Sequence, residues 1–141
     1  MIIGLGCDIV EVGRIEALLR KGHEGFVRRV LTPEEIAEYE RRSERAASRG
    51  TLYLATRFAA KEAFSKAMGT GIGESFSFQD VSILNLTTGK PAMRYSERLR
   101  AWLDARLAHA EVSIADETQY AMATVIIFNP LSSTHTTITK E

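Results

Sequence analysis

The stretch TLYLATRFAAKEAFSKAM, residues 51–68, decides the reading of this chain. Placed on a helical wheel at about 100° per residue, it separates into two arcs. Leu52, Tyr53, Ala59, Ala60, Ala63, Phe64 and Ala67 share one arc. Most of these are alanines, so this face can come close to a sheet. Arg57, Lys61, Glu62, Ser65 and Lys66 share the other. A lone carboxylate among clustered cations fits a solvated, ion-paired helix face; it also fits a divalent ion held beside a bound phosphate. Gly69-Thr70-Gly71-Ile72-Gly73 then ends the helix as a flexible loop, whose backbone N–H groups could meet a phosphate.

Upstream, residues 1–12 are β-branched and glycine-rich and predict a buried strand, with Cys7 packed within it. Asp8 is anomalous there, because an ionised carboxylate in an apolar strand needs a partner. Its spacing to Glu11 also suits a capping box before the next helix. That helix carries Ile15, Leu18 and Leu19, and Phe26, Val27 and Val30 predict a short second one. Thr32-Pro33-Glu34-Glu35 is a strong helix start, with Glu35 at the capping-box position, and its helix is expected to reach Arg42. Residues 43–50 read as a polar connection.

Downstream, residues 79–86 and 92–95 predict strands joined by Gly89-Lys90-Pro91. Ser96 can cap a helix with a Leu99, Trp102, Leu103 and Leu107 stripe. Residues 111–115 and 119–128 read as an antiparallel pair. The order is that of an α+β domain with an antiparallel sheet packed against a long central helix. Residues 1–130 are read as a single domain and residues 131–141, Ser/Thr-rich, as a mobile tail.

The 141 residues carry 18 Lys+Arg and 18 Asp+Glu, a net charge of zero. That balance disfavours a nucleic-acid binder, whose footprint is basic overall. One cysteine forms no internal disulfide and no multi-cysteine zinc site. The opening MIIGLGCDIV lacks a basic n-region, and no apolar run approaches the ~20 residues of a membrane span. The expectation is a cytoplasmic protein without membrane or nucleic-acid partners. His23, His109 and His135 are scattered, and no GxSxG elbow is present. Gly4-Leu5-Gly6 lacks the third glycine of a dinucleotide fingerprint.

Two motifs resemble those of the holo-acyl-carrier-protein synthases, the small bacterial 4'-phosphopantetheinyl transferases. GLGCDIVEV (4–12) with Arg14-Ile15 is similar to the family's N-terminal GxGxDIVEI..RI motif. RFAAKEAFSKA (57–67) followed by GTGI (69–72) is similar to its RFAAKEAxxKAxGTGI motif, and Gly89-Lys90-Pro91 to its GKP turn. The resemblance runs from Met1 to about Phe128 and implies the family's fold. It also implies that the phosphopantetheine arm of coenzyme A passes to a serine of apo acyl carrier protein, releasing adenosine 3',5'-bisphosphate.

By motif position Asp8 and Glu62 would hold Mg²⁺, which prefers few carboxylates, several waters and substrate phosphates. Lys66 would meet the transferring phosphate. Arg57 and Lys61 would serve the other phosphates or be structural. Ser65, Gly69, Thr70, Gly71, Ile72 and Lys90 would line the coenzyme site. The serine's proton acceptor stays open between a metal-bound water and a nearby carboxylate.

Many members carry a histidine after the V-S-I run. Here Val112-Ser113-Ile114 is followed by Ala115-Asp116-Glu117, so no histidine role carries over. Asp116 is expected near the site across a subunit boundary, since the family is typically a homotrimer with intersubunit sites. The first helices carry Arg14, Arg20, Lys21, Arg28 and Arg29 against Glu16 and Glu24. The resemblance makes them the docking surface for the acidic carrier, through Arg14, Leu18, Lys21 and Arg28. A transferase for polyketide or peptide-synthesis carriers, a non-catalytic coenzyme-binding module and a plain structural domain are the competing readings.

Overall fold

A computed structural model describes residues 1–22 and 24–132. The expected tail therefore falls, from residue 133 onward, outside the described residues. The first strand, β1, spans Ile2–Glu11. Four helices follow: α1 (Val12–Arg20), α2 (Glu24–Val30), α3 (Pro33–Arg45) and α4 (Ala47–Met68). A 3₁₀ turn at Phe78–Asp80 leads to β2 (Val81–Asn85) and β3 (Pro91–Tyr95). Then come α5 (Glu97–Asp104), β4 (His109–Asp116) and β5 (Tyr120–Phe128).

The strands form two antiparallel sheets, one ordered β1-β5-β4 and one pairing β2 with β3. Helix α4 lies across the three-stranded sheet. Ala59, Ala60, Ala63 and Ala67 meet Ala121, Ala123, Val125 and Ile127, all of them buried. The small residues do what the wheel anticipated. β1 comes so close that Gly4 and Gly6 lie directly against the α4 carbonyls of Ala67 and Ala63. The paired glycines thus serve helix–strand packing.

Four expectations differ. Residues 43–50 are helix, not a connection: α3 runs to Arg45, Ala46 alone is extended, and α4 starts at Ala47. Gly50 permits this tight turn, since a Cβ there would stand 1.9 Å from Ser43 Oγ. Helix α5 stops at Asp104, so Leu107 leaves the stripe, at φ 50° and 59% exposed. Cys7 is exposed on the outer face of the sheet, because β1 presents its odd-numbered residues away from α4. The polar arc of α4 is not solvated as a whole: Arg57, Lys61 and Ser65 are buried.

Candidate active site

Asp8 points inward from β1, where the α1 cap would have needed it elsewhere. Helix α1 begins after Glu11 with no side-chain cap. Asp8 instead meets the ammonium of Lys66, which donates to Asp8 Oδ1 and to the Cys7 carbonyl, each at 3.0 Å. Glu62 stands one turn before Lys66 on the same side of α4. Burial pushes its carboxyl pKa up, Asp8 adds to this, and Lys66 opposes both. Three residues from two distant motifs therefore converge where α4 crosses the β1 edge of the sheet. Lys66 is half-exposed and uses two of its three N–H donors on Asp8 and Cys7.

The chemistry of this donor set suits Mg²⁺. The Asp8 carboxylate acts electrostatically on that of Glu62, and the cation beside them, Lys66, is shared by Asp8 with a backbone carbonyl. Among the described residues no group of three or more His, Cys, Asp or Glu side chains forms a richer cluster. A pair of carboxylates leaving room for water and phosphate is what that ion takes, rather than a full protein cage.

The rest of the α4 series does other work. Lys61 is wholly buried. Its ammonium donates to Glu35 Oε1 at 2.5 Å, Val30 O at 2.7 Å and Phe78 O at 2.8 Å. All three donors are spent, so the expectation that Lys61 meets a coenzyme phosphate is corrected: it ties α2, α3 and the 3₁₀ turn to α4. Burial pushes its pKa down, against the pull of Glu35. Glu35 also accepts from the amides of Thr32 and Ile83, each at 2.9 Å. Its capping-box position was legible; its partner Lys61 was not. Ser65 is buried and donates to the Glu62 carbonyl at 2.7 Å.

The loop after α4 offers fewer donors than its glycines suggest. Gly69 closes the helix in the left-handed conformation at φ 78°. The amides of Gly69, Thr70 and Gly71 turn back onto the carbonyls of Lys66 and Ser65. What residues 69–72 present is an open backbone surface beside Lys66, with Ile72 half-buried.

Arg57 is not with Asp8. It lies on the opposite flank of α4, donating to Ile83 O at 3.0 Å and Asn85 Oδ1 at 2.7 Å, with its guanidinium 4.2 Å from the Tyr53 ring centroid. Burial lowers its pKa. It lines a polar pocket of about 200 Å³ with Arg42, Asn85, Gly89, Pro91 and Asp116. Lys90 is on this flank too, 3.6 Å from Glu111 of β4. The Tyr53 hydroxyl, buried at this pocket without a hydrogen-bond partner, carried no sequence signal. Arg14, Lys21 and Arg28 are exposed and Leu18 half-buried on α1, α2 and the turn between them.

The chain belongs to the 4'-phosphopantetheinyl transferase superfamily, whose family model matches residues 4–125. It is 45% identical over 127 residues to the holo-[acyl-carrier-protein] synthase of Herminiimonas arsenicoxydans, covering 90% of this chain and 98% of that one. It is 43% identical over 122 residues to that of Ralstonia nicotianae, covering 86% and 88%. The crystal structure of the Neisseria meningitidis holo-[acyl-carrier-protein] synthase is similar at TM-score 0.81 and 40% identity, covering 91% of this chain and 99% of that one. The Bacillus anthracis synthase, solved in complex with CoA (3',5'-ADP), matches at TM-score 0.74 and 38% identity, over 90% and 96%. Within the superfamily this places the chain in the holo-[acyl-carrier-protein] synthase family. No helix among the described residues is long and apolar enough to cross a membrane.

Proposed function

We propose that this chain transfers the 4'-phosphopantetheine arm of coenzyme A to a serine of apo acyl carrier protein. The observation that carries the reading is the convergence of Asp8, Glu62 and Lys66 from two separate motifs onto one edge of the sheet. The serine oxygen forms a bond to the β-phosphorus of the coenzyme, the pyrophosphate P–O bond breaks, the serine proton passes to a water or a nearby carboxylate, and adenosine 3',5'-bisphosphate leaves. Such a reaction depends on positioning and charge neutralisation more than on covalent help from the protein.

Asp8 and Glu62 would hold Mg²⁺, which when bound supplies neutralising charge at the pyrophosphate. The remaining work belongs to the chain. Asp8 and the Cys7 carbonyl fix Lys66, leaving one N–H for an oxygen of the transferring phosphate. Residues 69–72 give the pantetheine arm a backbone surface to lie along. Ser65 supports the Glu62 turn from within the helix.

The coenzyme's nucleotide end needs further cations, and in one copy Arg57, Lys90 and the edge residue Asp116 stand across α4 from the metal pair. A site using both flanks draws them from two copies of the chain. The outer face of the β1-β5-β4 sheet supports such an assembly: Leu5, Ile9, Tyr120 and Met122 are exposed there as an apolar surface. We read the enzyme as a cytoplasmic homotrimer, each copy one domain over residues 1–130, serving fatty-acid synthesis. The exposed arginines of α1 and α2 meet the acidic carrier.

The direct test is incubation of the protein with coenzyme A, Mg²⁺ and apo acyl carrier protein, followed by weighing the carrier. A gain of one phosphopantetheine that disappears with chelator is expected. An unchanged carrier, where a known synthase modifies it, would sink the proposal.

A further inference from the structure

The C-terminal end of α2 is held from outside the helix. Its last carbonyls have no amide partner further along the chain, as at any helix end. Here two side chains take them. Gln79 Nε2 lies 3.0 Å from the Arg28 carbonyl, 3.2 Å from that of Arg29 and 2.9 Å from that of Leu31. Lys61 Nζ takes the Val30 carbonyl at 2.7 Å. Four consecutive carbonyls thus gather on one amide from the 3₁₀ turn, whose two N–H groups are shared among three of them, and one ammonium from α4. The cation also faces the negative end of the helix dipole.

A seven-residue helix cannot hold its own shape in water, so these contacts and the Phe26–Phe58 ring pair at 5.8 Å define where α2 sits. On its other side α2 exposes Arg28 and Arg29. Lys61 immediately precedes Glu62 in the chain. One clamp therefore registers the arginines of α2 against the carboxylate of α4.

We propose that Gln79, together with Lys61, is a positioning residue for the carrier protein: it sets the distance between the carrier-facing arginines and the Asp8–Glu62 centre. The inference rests on the reading of α1 and α2 as the docking surface. Gln79 belongs to neither motif, and its side-chain hydrogen bonds all end on the last residues of α2 and on Leu31 just beyond it.

The experiment is steady-state kinetics on the full chain, varying apo carrier and coenzyme A separately. Gln79 is exposed, so Gln79→Ala is expected to fold, with a Tm close to that of the parent. Its KM for carrier should rise about tenfold, as a small misplacement of a docking group does, while its KM for coenzyme A stays put. In an Arg28→Ala background the same substitution should add little, because the group it positions is gone. Unchanged carrier KM in Gln79→Ala, an equal rise for both substrates, or effects that simply add would overturn the clamp. An unaffected Arg28→Ala enzyme would instead remove the docking reading, and the clamp's role with it.

Discussion

A methyl group on Gly6 would stand 1.9 Å from the carbonyl oxygen of Ala63, and one on Gly4 1.8 Å from that of Ala67. Neither contact can relax by rotating a side chain, because the obstacle is helix backbone. Gly6→Ala should therefore push β1 off α4 and cost at least ~3 kcal/mol, the upper range of overpacking penalties. A urea titration measures it, and a midpoint equal to the parent's would refute this account of the glycines. The displacement would also part Asp8 from Glu62, so activity should fall with stability. Glu62→Gln separates the two effects. It keeps volume and removes charge at a half-buried position where burial and Asp8 already disfavour the anion. The expected result is a kcat loss on the order of 100-fold or more, in line with losing one electrostatic contact at a reacting centre, with the Tm preserved. Activity at limiting Mg²⁺ equal to the parent's would take Glu62 out of the metal site. The glycines and the carboxylates were legible as motifs. That glycine and alanine faced each other was not, because the sequence does not register strand against helix.

Along α4, periodicity identified the alanine face correctly and grouped the polar residues too broadly. Arg57, Lys61 and Ser65 repeat every fourth residue and are buried, Arg57 under β2 and Lys61 under α3; Glu62 and Lys66 turn to the β1 edge. What divides them is the second layer formed by α3 and the β2–β3 pair, and a wheel drawn for one helix on one sheet has no place for it. The capping box at Thr32 and Glu35 was readable because it is local. The buried ion pair of Glu35 with Lys61 was not, because 26 residues separate them. The same layer holds Asp80. Burial alone would raise its pKa, but hydrogen bonds from Arg98, Ser96 and the Ser77 amide outweigh this and hold the carboxyl well below the usual carboxylate range. These bonds tie α5 to the start of β2, with Arg98 donating at 2.9 and 2.5 Å. A depressed folded-state pKa contributes stability that is complete above the unfolded value of about 4 and is lost as pH falls through the folded one. Asp80→Asn should cost about 2 kcal/mol at pH 7, the range for hydrogen bonds to charged groups, and weaken the acid dependence of unfolding below pH 4. Urea midpoints at pH 7 and pH 3 test this. A variant as acid-sensitive as its parent would show that Asp80 does not set that limb.

For the molecule as a whole, the decisive geometry is the separation of Asp8, Glu62 and Lys66 at the β1 edge from Arg57, Lys90 and Asp116 beside β4. The body of α4 and the central strand β5 lie between the two groups, and the proposed site takes one group from each of two neighbouring copies. In the proposed assembly, the exposed Leu5, Ile9, Tyr120 and Met122 on the outer face of the sheet give neighbouring copies an apolar surface to share. That arrangement makes a prediction which no single-chain site can satisfy. Glu62→Gln and Arg57→Gln should each be nearly inactive alone. In a mixed assembly, a site formed by the intact Glu62 edge of an Arg57→Gln copy and the intact Arg57 edge of a Glu62→Gln copy lacks nothing. Random co-assembly of equal amounts should therefore restore about a quarter of the parent's activity per site over the whole population, and about a third in the purified mixed trimers, each of which holds one complete site. Co-expression with two affinity tags isolates the mixed species, and light scattering gives its mass as a multiple of 15.7 kDa. Mixed assemblies no more active than either variant alone would mean that each copy completes its own site. Arg57 would then be a structural cation stacked on Tyr53, with no part in holding the coenzyme.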